Sequence, residues 1–164
     1  MPDMLVNLLR LPALAPVLSE LRGAGVVARR AQPWELSEVR RFVAAHFSEG
    51  WADEMSVGFS RQPVSVFVAS REGHLAGFAA YECTRRNFFG PMGVVEDERG
   101  RGVGRALLLA CLWGMREMGY VYAVIGGVGP VRFYERAVGA IVIAGSSPGI
   151  YADPLRRADG ESQT

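Results

Sequence analysis

The sequence contains no lysine: all 18 of its basic side chains are arginine. That absence excludes a phosphate-binding loop of the G-x-x-x-x-G-K-[ST] kind, Schiff-base chemistry, pyridoxal attachment and a lysine general base. Anions must then be held by arginine or by backbone N–H groups. The plainest source of the bias is a GC-rich genome that favours arginine codons. Cysteine is scarce as well. Cys83 and Cys111 stand far apart in apolar surroundings, so neither a disulfide framework nor a zinc site is expected from them, and no metal is expected at all. They read as buried thiols of a reducing compartment. No long apolar run is present. Residues 4–9 are mostly apolar, but Asp3 stands where a signal peptide carries positive charge, Arg10 interrupts the run, and Pro12 and Pro16 break it. This fits neither a signal peptide nor a membrane span, and a cytoplasmic protein without a membrane partner is expected. Neither charge is in excess, since 18 positive side chains face 17 negative ones for a net +1. A nucleic-acid partner, which calls for a concentrated basic face, is therefore not expected.

What is present suits one globular domain: 164 residues, 49% hydrophobic and 21% charged, with no internal repeat. A short strand leads to a helix over residues 13–22, stopped by Gly23 and Gly25. A strand follows over 26–30. Pro33-Trp34 opens a helix whose apolar face is Leu36, Val39, Phe42, Val43 and Phe47. A shorter helix is predicted over 51–59 and strands over 64–69 and 75–83, joined by a tight Glu72-Gly73 hairpin. A further strand covers 87–95. A long apolar helix over 102–118 is closed by Gly119. Then come a strand over 120–125, a helix over 131–138, a strand over 140–144, a last strand over 150–155 and a polar, frayed tail over 156–164. An antiparallel meander followed by alternating strands and helices predicts an α/β (α+β) fold with a mixed, mostly antiparallel central sheet and helices on both faces. Residues 1–25 read as an N-terminal extension of a main domain over 26–155.

The segment richest in chemistry is Gly100-Arg101-Gly102-Val103-Gly104, between a strand and the long helix. Successive glycines let a backbone approach a ligand closely, and a helix start offers unpaired N–H groups and a positive dipole end. This is an anion site made without lysine, suited to a pyrophosphate, with Arg99, Arg101 and Arg105 at its rim. A dinucleotide fingerprint needs G-x-G-x-x-G and an acidic residue at the next strand end, and both are missing. A disordered Arg-Gly tract would be repeated, and this one is not. The residues alone leave open a tight strand-to-helix turn with no ligand.

The wider context resembles the GNAT superfamily of acyl-CoA N-acyltransferases, whose motif [QR]-x-x-G-x-[GA] lies between a strand and a helix. Here it is matched by Arg99-x-x-Gly102-x-Gly104, preceded by Gly90-Pro91-Met92-Gly93-Val94-Val95. Residues 131–136 (Val-Arg-Phe-Tyr-Glu-Arg) resemble the family's Phe-Tyr helix, followed by Gly139-Ala140, and the Glu72-Gly73 hairpin before Leu75-Ala76-Gly77-Phe78 is similar as well. The resemblance extends over roughly residues 26–155.

The resemblance implies acetyl-CoA as cosubstrate, an amine of a small molecule or peptide as acceptor, and direct attack in a ternary complex. A non-catalytic acyl-CoA-binding sensor or scaffold is the alternative. The pyrophosphate would rest on backbone N–H groups from Arg99, Gly100, Arg101, Gly102, Val103, Gly104 and Arg105. The strand carrying Val94 and Val95 would splay from the next strand, and a backbone N–H near Val94 or Val95 would polarise the thioester carbonyl. Tyr134 matches the family's phenolic acid for the leaving thiolate. Gly139 lies five residues beyond Tyr134 where four are usual, and Gly126-Gly127-Val128-Gly129 stands where many relatives have asparagine. Glu82, in apolar company, is either the acceptor-side base or a partner of Arg85 or Arg86; ordered water is the other base. Acceptor choice in the family comes from the first two helices. Trp51, Asp53 and Glu54 make either an aromatic, acidic pocket for a cationic amine or a solvated helix start. Many relatives form homodimers, and no residue here specifies an interface.

Overall fold

The computed structural model describes residues 1–155, and the tail expected over 156–164 lies outside them. Seven strands form one sheet: β1 (Met4–Asn7), β2 (Val26–Arg30), β3 (Val66–Arg71), β4 (His74–Tyr81), β5 (Phe88–Val94), β6 (Tyr122–Ile125) and β7 (Ile141–Val142). Their spatial order is β2-β3-β4-β5-β6-β1-β7, and every neighbouring pair is antiparallel except β5–β6. Five α-helices complete the fold: α1 (Leu14–Gly23), α2 (Leu36–His46), α3 (Glu49–Ser56), α4 (Val103–Glu117) and α5 (Val131–Val138). The mixed, mostly antiparallel sheet with helices on both faces is as the sequence predicts.

The period-2 alternation of β3 and β4 divides their side chains between two cores. Val66, Val68, Phe78 and Ala80 pack under α2 and α3, while Ala69, Ala79 and Tyr81 pack under α4. Helix α4 is apolar nearly all round because it is enclosed: one side lies on the sheet and another on α1, where the Trp113 indole N–H donates to the Pro12 carbonyl at 2.9 Å. Gly114 lets the sheet approach closely, since a Cβ there would lie 2.8 Å from the Tyr81 hydroxyl.

Helix α3 starts at Glu49, two residues before the predicted start, because the Ser48 hydroxyl caps it by accepting from the Trp51 N–H. The last strand expected over 150–155 does not form; Gly149–Tyr151 is a 3-10 turn followed by bends. The sheet explains this. The place beside β6 is already filled by β1, which pairs antiparallel with both β6 and β7. The C-terminal segment instead packs across the end of β6, where the Tyr151 ring lies over Gly126 and Gly127.

Candidate active site

The parallel pair β5–β6 is short. It is held at Phe88↔Val124 and Phe89↔Ile125, after which the strands separate. Hydrogen-bonding direction alternates along a strand. The Val95 N–H donates to the Ala76 carbonyl beside β4, so the backbone groups of Val94 and Met92 point the other way, into the gap between β5 and β6. The Val94 carbonyl confirms this direction by accepting from Arg99 Nε at 3.0 Å. Of the two residues whose N–H the sequence nominated, only Val94 faces the gap. Met92, which sequence reasoning missed, faces it too. The Val94 side chain packs as core, with its Cγ2 beside both Gly77 and Gly104.

Beyond β5 a 3-10 turn, Glu96–Glu98, leads to the glycine loop. A fork from Arg71 holds this turn: Nε and Nη2 donate to the two Glu98 carboxylate oxygens at 2.7 and 3.0 Å, and Nη1 reaches the Ala24 carbonyl. The Arg71 guanidinium keeps the Glu98 carboxyl below its usual range. Gly102 then adopts φ +85° at the start of α4, with no side-chain cap and no acidic residue in the first turn. Its carbonyl accepts from Ala106 N–H, while the N–H groups of Val103, Gly104 and Arg105 belong to the first turn, where a helix has no internal acceptors to offer. Arg99, Arg101 and Arg105 are exposed around this point. An uncapped, acid-free helix start beside exposed arginines fits a pyrophosphate.

Helix α5 brings its own N-terminus to the same place: the Phe133 ring lies 3.7 Å from where a Gly104 Cβ would stand. Tyr134 sits next to it. Its ring centre is 4.9 Å from that of Phe133 and 6.4 Å from that of Phe89, the last paired residue of β5 before the gap. Tyr134 is 7% exposed, and burial pushes its phenol up to about 12. Its hydroxyl makes no hydrogen bond among the described residues. The unusual spacing to Gly139 causes no kink, because α5 runs regularly to Val138 and Gly139 closes it at φ +64°, donating its N–H to the Glu135 carbonyl. On the other wall, at the end of β6, the Gly127 N–H donates to the Asp3 carboxylate at 2.8 Å. The N-terminal segment thus takes the backbone group that stands where many relatives place asparagine.

Glu82 lies on the closed side of the gap. Its N–H donates to the Phe88 carbonyl, its carboxylate accepts from the Asn87 N–H, and its neighbouring cation is Arg61 rather than Arg85 or Arg86. In the acceptor segment, Trp51 and Glu54 share one side of α3. The Trp51 ring stacks on Phe47, which covers Gly93 of β5, and the Glu54 carboxylate accepts from the Thr84 hydroxyl. Asp53 is not brought to that side: it pairs with Arg40 of α2 at 2.7 Å. Burial raises both thiols, Cys83 to about 11, so neither is a thiolate nucleophile at neutral pH. Among the described residues there is no cluster that could hold a metal ion and no helix long and apolar enough to cross a membrane.

A model of the acetyltransferase (GNAT) domain matches residues 62–137, which contain β3, β4, β5, the glycine loop, α4, β6 and Tyr134. The fold is that of the GNAT acetyltransferases. A GCN5-related glucosamine N-acetyltransferase region of a fungal multi-domain β-N-acetylglucosaminidase superposes with a TM-score of 0.70 at 16% identity, over 87% of this chain and 19% of that chain. A GCN5-related N-acetyltransferase from Sphaerobacter thermophilus gives 0.60 at 21% identity, over 87% of this chain and 48% of that one. This chain therefore spans about a fifth and about half of the lengths of these two proteins. No curated protein matches the sequence. In the GNAT frame, the splayed pair β5–β6, the glycine loop and the α5 tyrosine are contiguous, and β1 lies inside the same sheet.

Proposed function

We propose that the chain transfers an acetyl group from acetyl-CoA to an amine of a small molecule or peptide by direct attack in a ternary complex. The observation that carries this reading is the convergence of an uncapped α4 N-terminus, a splayed β5–β6 pair and a buried, protonated Tyr134 on one gap. The activity named for both superposed proteins supports it. When bound, acetyl-CoA supplies the activated thioester. The first-turn N–H groups of α4, with Arg99, Arg101 and Arg105, hold its pyrophosphate. A gap-facing N–H of Met92 or Val94 polarises the thioester carbonyl. As the C–N bond forms and the C–S bond breaks, Tyr134 gives its phenolic proton to the departing sulfur.

Trp51 and Glu54 line the acceptor side, where an aromatic face and a carboxylate suit a cationic amine before it loses its proton. Glu82 closes the β4–β5 connection, and water takes the acceptor's proton in its place. The test is release of free CoA thiol from acetyl-CoA across a panel of alkyl, aromatic and peptide amines, with mass spectrometry of the products. Turnover with a subset of amines is expected. Acetyl-CoA binding with no acetylated amine from any of them refutes the enzyme reading and leaves a binding module.

A further inference from the structure

A second cavity, of about 510 Å³, lies at the opposite end of α4 from the glycine loop, lined among others by Arg30, Arg61, Ser65, Glu82 and Glu117. Its volume is within the usual range for small-molecule sites. The described residues contain three buried side-chain atoms without a hydrogen-bond partner, Arg61 Nε, Ser65 Oγ and Asn87 Oδ1; Arg61 and Ser65 line this cavity, and Asn87 adjoins it through Glu82. Arg61 Nη2 donates to the Glu82 carbonyl at 2.8 Å, Asn87 donates its N–H to the Glu82 carboxylate, and the Ser65 carbonyl accepts from Tyr81 N–H. Ser65 is itself only 2% exposed. Backbone strain gathers here too. Glu82 and Asn87 hold φ of +60° and +65°, and the one other non-glycine residue at positive φ among those described is Glu72, in the hairpin turn. Unsatisfied polar atoms and strained backbone beside a cavity call for a physical explanation, and a bound ligand supplies one.

The charges specify the ligand. Arg30 is clamped by Nη1, which donates to the Val64 carbonyl and to the Tyr81 hydroxyl at 2.9 Å, and by the Phe67 ring beneath its guanidinium; its Nε and Nη2 donate to nothing among the described residues. Glu117 has no ion pair among them either, and the nearest cation to the Glu82 carboxylate is Arg61 at 4.0 Å. Arg30 and Glu117, of opposite charge and without ion pairs among the described residues, thus line one solvent-open cavity together with the Arg61–Glu82 pair. A ligand with a single charge would leave either Arg30 or Glu117 unanswered. We propose that this cavity binds a free α-amino acid, its carboxylate on Arg30 and Arg61 and its ammonium between Glu82 and Glu117. The site is separate from acyl transfer. It lies on the side where β5 and β6 remain paired, and α4, about 22 Å long, stands between it and the glycine loop.

The test uses the intact chain. Thermal shift and titration calorimetry are run with each common L-amino acid, and with acetate and methylammonium as the two half-ligands. At least one amino acid is expected to raise Tm and bind in one-to-one ratio, more tightly than either half-ligand. Arg61→Met and, independently, the exposed Glu117→Gln should each weaken binding about tenfold or more, with acetyl-CoA affinity unchanged. No binding by any amino acid overturns the proposal, as does equal affinity in both variants. Acetate binding as tightly as the amino acid reduces the place to an anion site and also overturns it. Acetylation of the bound amino acid moves its site to the transfer gap and does the same.

Discussion

Replacing Tyr134 by phenylalanine removes one hydroxyl and separates chemistry from packing. The ring stays between Phe89 and Phe133. The hydroxyl has no hydrogen-bond partner among the described residues, so its loss orphans nothing. Stability near neutral pH should therefore hold. Turnover should fall by about 10²–10⁴-fold, the usual contribution of a general acid, with KM for acetyl-CoA nearly unchanged. The pH behaviour follows from the phenol's shift from 10 to about 12 by burial. A raised folded-state value means that the stability held by the neutral phenol is fully present below pH 10 and is lost as pH rises through about 12. Two units correspond to about 3 kcal/mol. Wild type should then unfold in alkali more readily than Tyr134→Phe, and its turnover should show no falling limb from this group up to about pH 10. Steady-state kinetics from pH 6 to about 10 and chemical denaturation at pH 7 and pH 11 measure both effects. Unchanged kcat refutes the acid role, and a loss of kcat matched by a loss of Tm refutes the claim that only chemistry was removed.

Gly93→Ala should destabilise the fold. Its Cβ would stand 2.4–2.9 Å from three atoms of a Phe47 ring that is itself wedged against Trp51 and Phe78. An overpacking cost of about 1–3 kcal/mol lowers Tm by about 2–12 °C, measurable by calorimetry, and Phe47→Leu in the same chain should restore part of it. Gly102→Val meets no side chain but must adopt φ +85°; about 1–2 kcal/mol of stability should be lost, and acetyl-CoA affinity by calorimetry should fall more than the fold does. Glu98→Gln removes the carboxylate that Arg71 stabilises, and so part of the pH dependence. Because the folded carboxyl lies below its ordinary 4.5, its contribution is present above that pH and fades as pH falls through the folded value. Wild-type Tm should therefore drop more steeply in acid than that of the variant, and parallel curves would show that the fork contributes nothing.

The local elements and the glycine loop are legible in the residue pattern alone. Apolar spacing of 3.6 or 2 residues marks α2, α4, α5, β3 and β4, and the loop glycines stand where the chain must turn with φ positive. The missing lysine leaves arginine and backbone N–H groups to hold any anion, and the pyrophosphate site proposed at the start of α4 uses both. Which elements pair with which emerges only from the packed fold. β1 enters the sheet between β6 and β7, which denies residues 150–155 their strand, because a short apolar run carries no record of its partner. Register chose Val94 and Met92 over Val95 as the gap-facing groups, and one residue's shift reverses that choice. Glu82 found Arg61, distant in sequence, rather than the adjacent arginines, because the fold stacks the segment before β3 against the end of β4. Charge attracts without regard to sequence distance, so its pairings appear only once the chain has packed.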